Sequence, residues 1–175
     1  TQRHGCEKLI PLPWFEEYPL SIDGFRFRLS GGLTEQPASR KAAASDHSSM
    51  KVLVVDDNDV NAMVVTGYLR KLGIQPQVVN NGQKAIEMVC QTTRDFDLIL
   101  MDCEMPEIDG YLATERIRQW EMVTAARRQP ICALSAHALQ SYKEKCFTSG
   151  MDDFLSKPIM FDQLKAVVSR YHKTA

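Results

Sequence analysis

From Lys51 onward the chain repeats one pattern five times: a short apolar run, then a longer stretch whose apolar residues recur at helical spacing. The runs are Val52 to Val55, a weaker one at Gln75 to Val79, Phe96 to Met101, Ile131 to Leu134, and Asp153 to Ser156. Strands that alternate with helices form a parallel sheet. A parallel pair cannot be joined by a tight hairpin and needs a crossover connection, which a helix supplies. The chain is therefore read as α/β, a doubly wound parallel sheet with helices on both faces.

Local chemistry sets the expected boundaries. Lys51 to Asp56 is strand 1. Asn58 or Asp59 can cap a helix that carries Ala62, Val65, Leu69 and Leu72 on one face and closes at Gly73. Strand 2 spans Gln75 to Val79, and Asn80-Asn81-Gly82 turns into a helix through Ala85, Ile86 and Val89. After strand 3 a helix starts at Asp109-Gly110 and runs to about Val123. Pro130 precedes strand 4, and a helix from Ala138 to Phe147 ends at Ser149-Gly150. The last helix carries Phe161, Leu164, Val167, Val168 and Tyr171 on one stripe. Strands 1 and 3 are almost wholly apolar, as central parallel strands are. Strand 2 is more polar and holds Pro76, which suits an edge. The order 2-1-3-4-5 satisfies both and sets the ends of strands 1 and 3 side by side.

The residues at the carboxyl end of each strand carry the chemical signal. Asp56-Asp57 come after strand 1, Asp102 ends strand 3, Ser135 ends strand 4 and Lys157 comes after strand 5. Open α/β sheets bind ligands beyond the carboxyl ends of their strands, where the winding reverses. Carboxylates crowded there repel one another, and at least one pKa rises unless a cation sits among them. Hard oxygen donors with an open position suit Mg²⁺, with Mn²⁺ as a substitute. Asp102 is the best-placed nucleophile, since a carboxylate attacking phosphorus gives an acyl phosphate. The Lys157 ammonium would offset phosphoryl charge and the Ser135 hydroxyl would bond one phosphoryl oxygen. Any one of these side chains could simply cap a helix or lie along the surface. The coincidence of all five at one sheet edge argues for a site. A sharp turn is needed to aim Lys157 back at Asp102, so the Lys157-Pro158 bond is expected to be cis.

Composition narrows the function classes. The 175 residues carry a net charge of -1, which gives no argument for nucleic acid or a membrane surface. No apolar run is long enough to span a bilayer. Hydrophobic residues make up 44%, enough for one domain of about 120 residues plus an extra segment. The five cysteines form no C-x-x-C pair and read as small buried hydrophobes in a reducing compartment. The start lacks Met and any signal pattern and looks cut from a longer protein. Residues 34 to 49 are small and polar, as in a flexible linker, and Gly24 to Leu29 alternates like a half-buried strand.

Four segments taken together, VLVVDDN from Val52, LILMDCEMP from Leu98 with Asp109-Gly110, ALSA from Ala133 and DFLSKP from Asp153, carry a family likeness. With them, residues 51 to 172 resemble a two-component receiver domain, the phosphoacceptor module of response regulators. That resemblance implies a flavodoxin-like (βα)5 fold over residues 50–173, with 1–49 as an N-terminal extension and linker. It implies Asp102 as the phosphorylated aspartate. Asp57 and Asp102 would ligate the metal directly, Glu104 through its backbone carbonyl and Asp56 through water. Ser135 and Lys157 would be the switch hydroxyl and lysine, and Phe154 the aromatic that turns inward on phosphorylation. Asn58, Asn61 and the Cys103-Glu104-Met105-Pro106 segment resemble receivers of hybrid sensor histidine kinases. The implied partner is a histidine kinase dimerisation domain or a histidine-phosphotransfer domain, with no nucleic-acid or membrane contact in this chain. The implied setting is cytoplasmic, in a soluble parent or an inner-membrane sensor kinase. Activity would be limited to self-phosphorylation and autodephosphorylation. A docking helix would meet the Asn58–Leu72 helix at whichever of Val60, Met63 and Val64 do not face the sheet. Gly5 to Pro13 echoes Gly150 to Pro158, with Leu12 at the lysine position, which would make residues 1 to about 30 the tail of a degenerate upstream receiver. Two other classes compete: a pseudo-receiver that only binds partners, and an Asp-nucleophile phosphatase, whose D-x-D pattern the adjacent acids Asp56-Asp57 do not reproduce.

Overall fold

The computed structural model describes residues 49–91 and 95–172. Ten elements alternate: β1 (Val52–Val55), α1 (Asp59–Lys71), β2 (Gln77–Val79), α2 (Gly82–Gln91), β3 (Leu98–Asp102), α3 (Gly110–Thr124), β4 (Ile131–Ser135), α4 (Gln140–Thr148), β5 (Asp153–Ser156) and α5 (Phe161–Tyr171). The five strands lie in the order β2-β1-β3-β4-β5 and every pair is parallel, as expected. The architecture is flavodoxin-like.

The period of two along each strand divides the apolar residues between two cores. Leu53, Val55, Ile99, Met101, Ile131 and Ala133 face one way, toward Ala85, Ile86 and Val89 of α2 and Ala113 and Ile117 of α3. Val52, Val54, Leu98, Leu100, Cys132 and Leu134 face the other way, toward Val65 and Leu69 of α1 and Leu164, Val167 and Val168 of α5. Central strands buried on both faces therefore need the continuous apolar runs that mark β1, β3 and β4. Burying each large aliphatic contributes about 1.5–3 kcal/mol.

Asn58 caps α1: its side chain accepts from the backbone N–H groups of Val60 at 2.9 Å and Asn61 at 3.3 Å. Gly73 lies beyond its end in the left-handed region at φ 85°, where a glycine adds no strain. Asp109 caps α3 through the N–H of Leu112 at 2.7 Å. The helix expected from Ala138 begins two residues later, at Gln140. Leu139 holds the capping position in extended conformation, and it has no side-chain acceptor for the first free N–H groups. Strand 2 is likewise shorter than expected: Gln75 and Pro76 precede it, and only three residues join the edge. The Lys157-Pro158 bond is cis, as expected.

Cys103, Cys132 and Cys146 are buried, Cys90 is half-buried, and all four are free thiols. No helix among the described residues is long and apolar enough to cross a membrane. The linker expected at 34–49 (apart from Ser49), the alternating stretch at 24–29, the echo at Gly5–Pro13 and Cys6 all lie outside the described residues.

Candidate functional site

The parallel register brings the strand ends together. Asp102 closes β3 opposite Leu134 of β4, and Ser135 closes β4 opposite Ser156 of β5. The backbone N–H of Lys157 donates to the Ser135 carbonyl at 2.7 Å, which fixes the root of the lysine beside the serine. The lysine then reaches back across the sheet edge. Its Nζ lies 2.7 Å from Asp102 Oδ2 and 3.0 Å from Asp56 Oδ2.

Asp56 and Asp102 are nearly inaccessible, at 1% and 3% exposure, whereas Asp57 is exposed. Oxygens of the three carboxylates lie within 4.8 Å of one another. One ammonium is shared by two buried carboxylates, and a third carboxylate opens to solvent beside them. Asp56 is held by the N–H of Asn58 at 2.9 Å and the side-chain amide of Asn61 at 3.5 Å. Asp102 Oδ1 accepts from the N–H of Glu104 at 3.2 Å. Burial pushes the Asp102 carboxyl above its ordinary pKa, and the neighbouring Asp56 charge adds to the rise; the bonds from Lys157 and Glu104 oppose it without cancelling it. Burial alone would lower the Lys157 ammonium, but the hydrogen bonds to Asp102 and Asp56 outweigh that and leave it above the ordinary lysine value.

The cluster is the donor set a hard divalent cation takes: carboxylate oxygens with one side open to water. Glu104, whose backbone carbonyl the family resemblance singles out, lies two residues beyond Asp102. Its exposed side chain reaches away, to His137 Nδ1 at 2.5 Å. The Ser135 hydroxyl is buried and accepts the N–H of His137 at 3.1 Å, so it sits in a tight turn at the end of β4. Phe154 is half-buried on β5, packed against the core that α2 and α3 cover, with Lys143 Nζ 5.4 Å from its ring centre. Six of the seven residues singled out from sequence thus lie at this end of the sheet, and Phe154 lies further back on β5, opposite Ala133.

One contributor is not legible in the sequence. His137 joins the loop after β4 to the loop after β3 through Glu104 and stacks on Tyr142 at 4.3 Å. Its only sequence signal is its place two residues after a strand-end serine. For Gly110, read from sequence with Asp109 as a helix start, the structure supplies the reason for a glycine. A Cβ there would collide with the Asp102 carbonyl oxygen, so only glycine lets α3 start against the backbone of this aspartate.

Residues 52–169 match the family described as the response regulator receiver domain. The chain belongs to this family. Among curated relatives, this receiver is 34% identical to the sensor histidine kinase GacS of Pseudomonas protegens, over 95% of this chain and 20% of that protein. Among solved structures, it is 40% identical, at a TM-score of 0.62, to the receiver domain of sensor histidine kinase PA1611 from Pseudomonas aeruginosa PAO1, which holds a magnesium ion in its active-site cleft; the match covers 70% of this chain and 96% of that one. It is 30% identical, at a TM-score of 0.63, to a chain in the co-crystal of the Saccharomyces cerevisiae histidine phosphotransfer protein Ypd1 with the receiver domain of Ssk1, over 70% of this chain and 88% of that one. The chain spans a fifth or less of the length of the curated relatives it matches. Its fold is like that of phosphorelay receivers and its aspartate cluster fits a phosphoacceptor site; neither the interaction-only reading nor the phosphatase reading is favoured.

Proposed function

We propose that this receiver takes a phosphoryl group from a phosphohistidine onto Asp102, as one step of a phosphorelay in a hybrid histidine kinase. The observation that carries the reading is the charge balance at the strand ends: oxygens of three carboxylates lie within 4.8 Å of one another, and one ammonium pairs with two of them. An Asp102 carboxylate oxygen forms the bond to phosphorus while the bond to the histidine nitrogen breaks. Lys157 then pairs with a phosphoryl oxygen, and the Ser135 hydroxyl donates to another. Asp57, Asp102 and the Glu104 backbone carbonyl would hold Mg²⁺, with Asp56 acting through water; Mn²⁺ would serve in its place. That ion, when bound, neutralises the oxygens of the transferring group. Phe154, half-buried on the strand that leads to Lys157, is the side chain that turns inward as the loop after β4 closes on the phosphoryl group.

The partner is a His-bearing helix, in a histidine-phosphotransfer domain or the dimerisation domain of a kinase. Val60, Met63 and Val64 of α1 are 68%, 73% and 43% exposed beside the crevice. Val64 also lines a groove of about 240 Å³ that touches Asp56, Lys157 and Met160. An apolar strip next to the acceptor suits a partner that must bring a histidine close and then leave. The receiver fold is assigned to residues 50–173, in a cytoplasmic setting, with activity limited to self-phosphorylation and autodephosphorylation. Two measurements test the proposal. Beryllofluoride with Mg²⁺ should bind stably as a phosphoryl mimic. Val60→Glu with Met63→Glu should slow transfer from a phosphohistidine donor and leave labelling by acetyl phosphate intact. Equal slowing with both donors would mean that α1 acts through site geometry and is not the docking surface.

A further inference from the structure

Cys103 is the next residue after Asp102, and Cys146 is the one buried side chain of α4. The two sulfurs are 3.8 Å apart. Both residues are shielded, at 1% and 0% exposure. The helix that carries Cys146 is weakly held. It has no side-chain cap at Leu139, and apart from this thiol it buries no residue fully. Elements with so few buried contacts open locally at a small fraction of the global unfolding free energy.

We propose that Cys103 and Cys146 form an oxidative modification site, at which hydrogen peroxide closes a disulfide that staples α4 to the loop after Asp102. Cys146 rides on the helix that opens, so it is the sulfur that peroxide meets first. The thiol attacks one peroxide oxygen, the O–O bond breaks, and a sulfenic acid and one water result. When α4 re-closes, the Cys103 sulfur attacks the Cys146 sulfur, the S–O bond breaks, and a second water leaves. Two thiols lose two electrons in total, and one peroxide is reduced to two waters. The other described cysteines are placed apart: Cys132 lies in the core on the opposite sheet face, and Cys90 on α2.

The bond requires the sulfurs to close from 3.8 Å to about 2.05 Å. Any part of that movement taken by Cys103 acts one residue from the acceptor. Displacements of about 1 Å near reacting atoms cost about a hundredfold in rate. The staple therefore suppresses phosphoryl uptake and prevents α4 from moving. This consequence rests on the phosphoacceptor reading of Asp102; the disulfide itself does not.

The test uses the full chain, treated with hydrogen peroxide after removal of reductant, alkylated, and mapped as peptides without reduction. A cross-linked pair holding Cys103 and Cys146 is expected, reversed by dithiothreitol and absent from Cys146→Ser. Sulfinic acid at either residue without the cross-link, or a disulfide to any other cysteine, would overturn the site. Should Cys146→Ser fail to fold, the wild-type map and its reversal by reductant decide the question. In parallel, labelling by acetyl phosphate should fall at least about tenfold on oxidation and recover on reduction. An intact cross-link with unchanged labelling overturns the link to the acceptor. Reduced protein that takes no label at all overturns the receiver chemistry, while the peptide map still judges the cysteines.

Discussion

The two ends of the sheet hold buried charge in opposite ways. At the amino ends of β4 and β5, Arg118 meets Glu121 at 2.6 Å and Asp152 at 2.7 Å, and Arg128 meets Asp152 at 2.8 Å. The same groups make further hydrogen bonds. Arg118 donates to the carbonyls of Gly150 at 2.9 Å and Gln129 at 3.0 Å, and Glu121 accepts the Gln129 N–H at 2.8 Å. Two carboxylates face two guanidiniums there. At the carboxyl ends, three carboxylates face one ammonium. Balanced charge with partners on both sides holds loops in place. Unbalanced charge at a crevice leaves room for a cation and then for a phosphoryl group.

The largest expected effect lies at the balanced end. Arg118→Met strands Glu121, which is only 6% exposed, and removes the inner partner of Asp152. A loss of about 3–5 kcal/mol is expected in urea unfolding, because removing one partner leaves a buried charge uncompensated. Mg²⁺ should not restore it. A loss under about 1 kcal/mol would show that the network is peripheral and would erase the contrast between the ends.

Next comes metal. In the native chain, Mg²⁺ at a hundred times its dissociation constant should raise stability by about 2.7 kcal/mol. Asp57→Ala should abolish that gain and, free of metal, be at least as stable as the parent, since one repelling carboxylate is gone. Thermal melts with and without Mg²⁺ read both quantities. An undiminished metal shift in Asp57→Ala would put the cation elsewhere.

A smaller effect comes from the raised Asp102 pKa. The folded state binds that proton more tightly than the unfolded chain does. The metal-free fold therefore carries a penalty above the raised value, relieved as pH falls through it. Asp102→Asn should raise metal-free stability at neutral pH and flatten this part of the acid profile. The Lys157 contribution has the opposite placement: it is present below the ordinary lysine value and lost as pH climbs through the raised folded one. Lower neutral stability in Asp102→Asn would mean that the Lys157 bond outweighs burial and repulsion. The smallest effect belongs to the exposed pair at the mouth of the site. Glu104→Gln removes a contact between side chains 49% and 44% exposed, so stability should change by no more than about 1 kcal/mol.

The contrast also marks what a sequence can disclose. Val52–Val55 and Leu98–Met101 announce central strands because both faces are buried, and the residue after each run must then emerge at the sheet edge. Strand order and the gathering of Asp56, Asp57, Asp102, Ser135 and Lys157 result from that. The amino-end network leaves no such trace. Arg118 and Asp152 are 34 positions apart, and nothing local says that an arginine on α3 will turn inward. The same holds for Glu104 with His137 and for Cys103 with Cys146, which meet only once the loops after β3 and β4 and helix α4 have packed. The start of α4 departs from the sequence expectation for a local reason: Ala138 and Leu139 continue a helical pattern but offer no cap.

The central claim is that the unbalanced end is a phosphoacceptor site with Asp102 as its acceptor. The most direct measurement is mass spectrometry of the chain after treatment with acetyl phosphate and Mg²⁺, with the phosphoryl group localised by peptide mapping. A single phosphoryl group is predicted on the peptide that contains Asp102, and none in Asp102→Asn. Full labelling of Asp102→Asn, or a phosphoryl group mapped to any other residue of the native chain, would contradict the claim.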